Sequence, residues 1–441
     1  MSFEFFAPCP RGLEAALAAE LAEIASGRLP PGALAVGAEV PGGVHLRGNW
    51  AGGMAANLHS RIASRVLLKI AQGPYRSEQD VYTLAAGQRW EQWFTPNETL
   101  RVDITAIKSP LRSLEFATLR VKDAICDRMR SKAGARPSID TAYPDVRVFA
   151  FLTAGDCTLY LDTSGEPLFK RGWRLDKGAA PLRENLAAGI LRLTGWTPGT
   201  PLYDPMCGSG TFLAEAAQVA LDIAPGLDRS FGFERLKQFD SAAWRHLKSE
   251  ANTARNAAQS RPHHDLLIFG SDISDVMLEK ARANFARAGL GNVPLKQLDA
   301  RNMTPPADAP GILVANPPYG ERIEVRGRNA RGEARPTARE LRGEDNGGDE
   351  GFRRAQTQDD APDSEFFQAL GDALKQRFTG WRAFVLTSDR KLPGQLRLRE
   401  SAKTPLYNGA LECRLFRFDL IAGSVRQRPA NGGGTQANEN A

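Results

Sequence analysis

The stretch YDPMCGSGTFLAEAA, residues Tyr203–Ala217, decides how the second half of this chain folds. It begins as an apolar strand that ends in Asp204, and a glycine turn at residues 208–210 leads into a helical segment. Glycines let the backbone approach a ligand closely, and a helix start leaves N–H donors without partners. There is no Gly-Lys-Ser/Thr, and Leu213 stands where a dinucleotide fingerprint needs its third glycine. An ordinary strand-to-helix turn has the same composition, so these glycines alone do not identify a ligand.

Short apolar runs alternate with helical patterns after Glu184. The predicted strands are TPLYD, LLIFGSD, VPLKQLD, GILVAN and WRAFVLTSD, and the predicted helices are TFLAEAAQVALDIA, ISDVMLEKARANFARAGL and SEFFQALGDALKQRF. Short apolar strands separated by helices are typical of a doubly wound parallel α/β sheet. An Asn408-Gly409 turn before a final alternating run predicts that the last strand is antiparallel.

Polar side chains end four successive predicted strands of this half. They are Asp204, Asp272, Asp299 and Asn316. Each aspartate taken singly is typical of a helix N-cap. Because the carboxyl ends of parallel strands share one edge, the four together predict an acidic rim, where Asp272 can accept hydrogen bonds from ribose hydroxyls and Asp299 can meet an adenine amino group. A rim with acids and no lysine suits a nucleoside ligand without phosphate, and S-adenosylmethionine fits this description.

The fourth strand runs into Asn-Pro-Pro-Tyr within ILVANPPYGERI, residues Ile312–Ile323. Proline cannot donate to a sheet, so the strand stops there and Asn316, Pro317, Pro318 and Tyr319 lie on a loop at the ligand edge. The amide carbonyl and a proline carbonyl are two acceptors for an exocyclic NH2 group, and the tyrosine can stack on a base. A rigid turn with a packed tyrosine is the alternative interpretation of the motif.

Composition narrows the class of protein. The 441 residues, 42% hydrophobic and 24% charged, are typical of a globular chain of two or three domains. No run is long enough to span a bilayer, and the start lacks the pattern of a secretory signal. Five dispersed cysteines without a C-x-x-C pair predict no disulfide framework, no metal site and a reducing cytoplasmic location. The net charge of +6 is compatible with a polyanionic partner.

The first half mixes strands and helices and predicts a small α+β domain. RGLEAALAAELAEIA is helical, VRVFAFLTAGDCTLYLDTSG predicts a hairpin, and LFKRGWRLDKGAAPLRE is a basic linker. Residues 325–363 and 423–441 are polar and almost free of apolar side chains, so both are predicted to lack stable structure.

The motifs together resemble those of class I methyltransferases that modify amino nitrogens. PLRENLAAGILRLTGWTPGTPLYDPMCGSGTFLAEAA with NPPYGERI is similar to the RlmL type of 23S rRNA guanine-N2 methyltransferase, and RGLEAALAAEL, GGVHLRG, SRIASRVLL, ATLRVKDAI and PDVRV resemble that family's N-terminal domains. The resemblance implies a ferredoxin-like segment at 1–64, a THUMP RNA-binding domain at 65–166, a linker at 167–184, and a Rossmann-like methyltransferase domain at 185–422. This chain departs from the pattern by the insertion after Glu324, and we expect no second methyltransferase domain of the kind that some relatives carry.

The resemblance also implies roles for individual residues. The implied cofactor-binding residues are Asp204, Pro205, Gly208, Ser209, Gly210, Asp272, Ile273, Asp299, Ala300 and Asn316, and the implied catalytic residues are Asn316, Pro317, Pro318 and Tyr319. Cys207 faces the cofactor side, so we expect a packing residue and no covalent chemistry.

The implied activity is methylation of a guanine N2 amine in 23S rRNA, with S-adenosylmethionine as cofactor and RNA as partner. Candidate RNA contacts are Lys108, Arg112, Lys122, Lys170, Arg171 and Trp173, although such cations are more often solvated, and the tryptophan can equally pin the linker. The alternatives are tRNA guanine-N2, DNA adenine-N6 or protein glutamine methylation, and a non-catalytic RNA-binding assembly factor with the same fold.

Overall fold

The computed structural model describes residues 2–175, 182–259, 266–291, 293–317 and 361–421. The N-terminal part contains β1 (Phe3–Pro8), α1 (Glu14–Gly27), β2 (Leu34–Val40), β3 (Gly43–Gly48), α2 (Trp50–His59), β4 (Leu67–Pro74), α3 (Glu78–Ala86), β5 (Leu100–Ala106), α4 (Leu114–Ala133), β6 (Val146–Leu152) and β7 (Asp156–Asp162). The C-terminal part contains α5 (Glu184–Thr194), β8 (Leu202–Asp204), α6 (Thr211–Ala220), α7 (Ser241–Gln259), β9 (Ile268–Asp272), α8 (Asp275–Arg287), β10 (Leu295–Gln297), β11 (Ile312–Ala315), α9 (Ala361–Arg377), β12 (Arg382–Thr387), α10 (Leu392–Gln395), β13 (Ala402–Asn408) and β14 (Leu411–Asp419).

A single seven-stranded sheet runs through both predicted N-terminal domains, in the order β2-β3-β1-β4-β7-β6-β5. The joint is the antiparallel pairing of β1 with β4, in which Phe5 lies opposite Leu68. The predicted boundary between residues 64 and 65 therefore falls just before β4, inside a sheet that the two segments share. The ferredoxin-like segment and the second domain complete one another's backbone hydrogen bonding.

Local signals explain the helices of this half. Ser113 caps α4 by accepting from the Phe116 N–H, and Gly134 ends it in the left-handed conformation at φ 80°. Helix α3 was not predicted, although Ser77 and Asp80 form a reciprocal capping box at its start. The Ser-x-x-Asp spacing was the available signal for that helix.

The C-terminal sheet has the order β10-β9-β8-β11-β12-β14-β13. β8 to β12 pair in parallel, and β14 runs antiparallel between β12 and β13. This arrangement confirms the predicted doubly wound sheet with an antiparallel last strand. Helix α7, which follows α6 without an intervening strand, was not among the predicted helices.

The predicted linker is packed where the structure describes it. Leu168, Trp173 and Leu182 are buried and join one apolar cluster that includes Phe5 of the first sheet and Leu186 of α5. The two halves of the chain therefore share a continuous core, and the connecting segment is part of it.

Two predicted unstructured segments fall mainly outside the described residues. Helix α9 begins at Ala361, so the last three positions of the predicted insertion at 325–363 are helical. The tail prediction at 423–441 lies outside the described ranges. Among the helices that are described, none is long and apolar enough to cross a membrane.

Candidate active site

The structure brings the four predicted strand-end side chains to one edge of the C-terminal sheet. β8 pairs in parallel with β9 on one side and β11 on the other, and β9 pairs in parallel with β10. Asp204 and Asp272 are the last residues of β8 and β9, and Asn316 follows the last residue of β11. Asp299 comes two residues after β10 ends. Ligands of open α/β sheets bind at this carboxyl edge.

The glycine turn has the backbone that only glycine adopts without strain. Gly208 and Gly210 have φ values of 52° and 81°, and Gly210 is the N-cap of α6. A Cβ on Gly210 would lie 2.6 Å from the Phe285 ring, so there is no room for a side chain at this position of the turn. The Gly208 N–H donates to Asp272 Oδ2 at 2.9 Å. The turn and the second acidic strand end are thus one hydrogen-bonded unit.

Asp272 is oriented by the backbone and is followed by an exposed apolar side chain. Its Oδ1 accepts from the Ser274 N–H at 2.9 Å, and its Oδ2 accepts from Gly208. Each oxygen retains acceptor capacity, since a carboxylate offers about four lone-pair sites. Ile273, the next residue, is 65% exposed. Asp272 and Ile273 therefore place hydrogen-bond acceptors next to an exposed apolar side chain.

Asp204 is the buried member of the rim. It is 2% exposed, and its Oδ1 accepts from the Met206 N–H at 3.1 Å. Burial raises the pKa of the Asp204 carboxyl well above its ordinary value, and the nearby charge of Asp272 raises it further. Next to it, Ser271 Oγ bonds to Tyr203 and, at 3.4 Å, to the Pro205 carbonyl, which holds β8 and β9 together beneath the rim.

Asp299 is engaged as a cap and an ion pair. Its side chain accepts from the Arg301 N–H at the start of the short 3₁₀ turn Ala300–Asn302, and Arg301 Nη2 lies 2.5 Å from its Oδ2. The hydrogen bonds from Arg301 lower the pKa of Asp299. This is the N-cap arrangement that the residue type predicts by itself. Ala300 is buried, and contact of either residue with an adenine ring stays a prediction.

Asn316 carries a side-chain acceptor that has no hydrogen-bond donor among the described residues. Its Oδ1 is buried, and no described residue donates a hydrogen bond to it. A buried carbonyl without a donor costs about 1–3 kcal/mol, so such an atom marks strain or a ligand position. Pro317 is buried behind it. Pro318 and Tyr319 lie outside the described residues, so their predicted roles stay predictions.

Asn284 was missed by sequence reasoning and supports the glycine turn. It is fully buried on α8, and its Nδ2 donates to the Ser209 carbonyl at 3.0 Å. A lone asparagine within the apolar positions of ANFARAGL was the available signal.

Two of the predicted RNA contacts are wrong. Arg171 is 6% exposed and pairs with the buried Glu215, and Trp173 is 5% exposed within the core. The basic segment around them packs between the domains, so neither side chain reaches a ligand at the surface. Cys207 is buried as well, as expected for a packing residue, and burial raises the pKa of its thiol well above the ordinary value.

The other four candidate cations are at least partly accessible. Lys108 and Arg112 are exposed, whereas Lys122 pairs with Asp123 at 3.0 Å and Lys170 with Glu166 at 2.8 Å. Their contact with RNA stays a prediction. In the described part of the chain, no group of three or more His, Cys, Asp or Glu side chains is arranged to hold a metal ion.

Three family models match the chain in succession. They are an RlmL ferredoxin-like domain over residues 4–67, a THUMP domain over residues 75–162, and an RMKL-like methyltransferase domain over residues 171–331. With the strand order and the glycine turn, they define the class of protein: a class I methyltransferase domain behind ferredoxin-like and THUMP domains. The domain boundaries given in the sequence analysis remain predictions.

Relatives of known name place the chain more closely. "Putative RNA methyltransferase slr0064" of Synechocystis is 35% identical over 418 residues, which cover 94% of this chain and 96% of that protein. "Ribosomal RNA large subunit methyltransferase K/L" of Aeromonas hydrophila is 36% identical over 96% of this chain and 55% of its own length. The chain therefore belongs to the family of RMKL-like methyltransferases with an RlmL-type N-terminal half. It spans about half the length of the K/L relatives.

Solved structures share the whole architecture. A putative methyltransferase, SMU.472, complexed with SAH, has a TM-score of 0.76 at 27% identity and covers 96% of this chain and 99% of its own. A predicted N6-adenine-specific DNA methylase from Listeria monocytogenes has a TM-score of 0.75 at 27% identity, with coverages of 95% and 96%. TrmN from Thermus thermophilus, at 18% identity and a TM-score of 0.60, shares the fold.

Proposed function

We propose that this chain transfers a methyl group from S-adenosylmethionine to the exocyclic N2 amine of a guanine in RNA, with 23S rRNA as the substrate. One observation carries the proposal. The side-chain carbonyl oxygen of Asn316, Oδ1, is buried at the ligand edge, and no described residue hydrogen-bonds to it. An NH2 group of a base is a donor of the kind that this acceptor lacks.

The cofactor-side residues suit S-adenosylmethionine. The Asp272 carboxylate retains acceptor sites for ribose hydroxyls, the exposed Ile273 offers an apolar face to an adenine, and Gly208 keeps the turn free of side chains. The SAH in the related structure SMU.472 supports the same cofactor here. When bound, the cofactor supplies an electrophilic methyl group.

The Asn316 loop would orient the acceptor nitrogen. The lone pair of a guanine amine is delocalised into the ring, so the amine is a poor nucleophile. Two carbonyl acceptors, one from Asn316 and one from the proline backbone after it, would bind its two hydrogens and localise that lone pair on nitrogen. This is positioning and electrostatic preorganisation, with no covalent intermediate on the protein. The proton leaves to water after transfer, because the methylated nitrogen has become acidic.

The choice of RNA rests on the N-terminal half. A THUMP match and relatives named as RNA or ribosomal RNA methyltransferases favour RNA over DNA or protein. The tRNA guanine-N2 alternative has the same chemistry and differs only in the acceptor. A non-catalytic assembly factor would have no use for an unpaired acceptor at Asn316 or for a glycine turn kept free of side chains, so we do not favour it.

Replacing Asn316 tests the chemistry. Asn316→Ala is expected to lower kcat by about 10²–10³, the usual cost of one preorganised group at a developing charge. Asn302→Ala is the control, because Asn302 is exposed on the same rim and should tolerate the change. Activity of Asn316→Ala near that of the wild type would refute the assigned role.

Depleting the protein tests the substrate. Nucleoside mass spectrometry of 23S rRNA and tRNA from depleted cells should show the loss of N2-methylguanosine from 23S rRNA alone. Loss from tRNA would support the alternative acceptor, and loss of N6-methyladenosine would refute the guanine proposal.

A further inference from the structure

The hairpin of β13 and β14 extends beyond the carboxyl edge of the C-terminal sheet, where the ligand site lies. β12 ends at Thr387, which lies opposite Arg414 of β14, whereas the β13–β14 pairing continues to Asn408 opposite Leu411. Three further residues of strand, at about 3.3 Å each, extend the hairpin about 10 Å beyond the end of β12. In the sheet order, Asn316 lies between this hairpin on one side and the glycine turn with Asp272 on the other. The hairpin therefore stands on the side of Asn316 away from the cofactor residues.

Two distant segments of the chain pack against that hairpin. The loop after β1 lies so close that a Cβ on Gly12 would be 2.3 Å from the Pro405 carbonyl oxygen. Its neighbour Arg11 places its guanidinium 5.4 Å from the centre of the Tyr407 ring. The second segment is the end of the linker, where the Arg183 guanidinium lies 5.0 Å from the centre of the Phe169 ring. The Nη2 atom of Arg183 also lies 3.6 Å from the position that a Cβ on Gly409 would occupy.

The resulting surface, which we call the basic wall, consists of Arg11, Phe169, Arg183, Arg390, Lys391 and Tyr407. Arg11, Arg183, Arg390 and Lys391 are all exposed. Glu412 is shared by Arg390 at 3.1 Å and Arg414 at 3.6 Å, and Asp389 accepts from the Lys391 N–H. Glu14 is occupied by the Gly12 and Gly42 N–H groups. Counting Arg414, five cations face three carboxylates, so the described part of this surface has a surplus of two positive charges.

We infer that the basic wall binds the sugar–phosphate backbone of the RNA strand next to the target base. The inference rests on the proposed function. It goes further by naming which part of the RNA the N-terminal half and the linker would bind. Arginine guanidiniums lying against aromatic rings keep their N–H donors available, and the combination of positive charge with aromatic faces suits single-stranded nucleic acid. The surplus charge and the position on the same sheet edge as Asn316, with β12 between them, favour RNA over a protein partner on this surface.

The test removes two charges that come from different segments. For Arg11→Gln/Arg183→Gln, we expect the KM for an rRNA fragment to rise about 5- to 20-fold, with kcat at saturating RNA and cofactor affinity within about twofold. The slope of log Kd against log salt should fall by about 0.7 for each phosphate that the variant no longer neutralises, so by about 1.4 in all. The thermal unfolding midpoint should not change, because both side chains are exposed.

Two further variants separate charge from structure. Arg11→Lys/Arg183→Lys keeps the charges and should retain most of the salt slope. Arg47→Gln removes one charge at the opposite end of β1, where Arg47 pairs with Glu4, and should leave both KM and the slope unchanged.

An unchanged Kd and salt slope in the double glutamine variant would overturn the inference. If that variant bound naked RNA normally but failed on assembling ribosomal subunits, the inference would also be wrong, and the wall would instead contact a protein. Failure of the inference is distinguishable from failure of the proposed function, since the latter would appear as wild-type protein that methylates no guanine.

Discussion

At the scale of single residues, Asp204 shows a conflict between stability and ligand binding. The carboxyl is buried with one backbone hydrogen bond and lies near a second acid, so its pKa in the folded protein is raised. In the unfolded chain the pKa of an aspartate is about 3.9, so the unfolded chain releases this proton at a lower pH than the folded protein does. The free energy of unfolding therefore falls as the pH rises from that value to the raised pKa of the folded state. Functional sites commonly retain such groups at the expense of stability.

Asp204→Asn should therefore stabilise the protein at neutral pH. We expect a gain of about 0.5–2 kcal/mol in the free energy of unfolding, larger at about pH 8 than at about pH 5, together with weaker cofactor binding. Urea unfolding at both pH values measures it. A gain that does not depend on pH, or a loss at the higher pH, would show that the carboxylate is better solvated than its burial indicates.

Gly210 combines a left-handed backbone with a packed environment, and the two effects can be separated. Gly210→Ala should cost about 1–2 kcal/mol for the backbone and about 1–3 kcal/mol for the contact with the Phe285 ring. Gly134→Ala is the matched control, since Gly134 has φ 80° but nothing within 4 Å of the added Cβ. Gly134→Ala should lose only the stability that the left-handed backbone costs, which thermal unfolding measures. Equal losses in the two variants would exclude a packing role for the ring.

At the scale of elements, α9 packs closely on the short helix α10 through a glycine. A Cβ on Gly371 would lie 2.0 Å from the Leu396 carbonyl oxygen, a backbone atom that cannot move away. Helix propensity alone would make alanine better than glycine by about 1 kcal/mol. The tertiary contact is expected to reverse that preference.

Gly371→Ala should destabilise the protein by about 1–3 kcal/mol, as overpacking does. Gly27→Ala is its control, because Gly27 ends α1 with nothing within 4 Å, so that variant should be neutral or more stable by up to about 1 kcal/mol. Denaturation midpoints compare the two. If Gly371→Ala were also stabilising, the α9–α10 contact would have to be looser than described.

At the scale of the whole molecule, a buried group of charges joins the N-terminal half to the helix behind the glycine turn. Glu215 of α6 is fully buried and lies 3.2 Å from Arg171 of the linker and 3.5 Å from Arg61 of the ferredoxin-like segment. Arg61 also donates to the Gln218 carbonyl, and Arg171 to the Arg61 carbonyl. The three parts of the chain are therefore held at the helix that begins at the ligand edge.

Glu215→Gln should lower stability by about 3–5 kcal/mol, because it removes the buried carboxylate that pairs with both Arg61 and Arg171. The control is Asp222→Asn, which removes an exposed ion pair with Arg28 across the same junction and should cost at most about 1 kcal/mol. Calorimetry of the full chain measures both. Similar midpoints for the two variants would mean that Glu215 contributes no more than a surface pair.

Much of the site was predictable because its signals are local. The turn at Gly208 and Gly210 and the strand ends at Asp272 and Asn316 follow from backbone rules that act over a few residues. Arg171 was mispredicted because its partner, Glu215, lies 44 positions further along the chain. A basic segment that contacts solvent and one that is buried between domains have the same local pattern.

The sequence by itself determined the alternation of strands and helices in the C-terminal half apart from α7, the glycine turn and the polar strand ends, because periodicity and glycine conformation act within one element. Only the tertiary structure decided that the two N-terminal domains share a sheet through β1 and β4, and that Arg171 and Trp173 are buried. It also decided that Arg11 and Arg183 meet at one hairpin on the same sheet edge as Asn316. Burial and charge pairing depend on which distant segments come into contact, and that is set by packing the whole chain around one core.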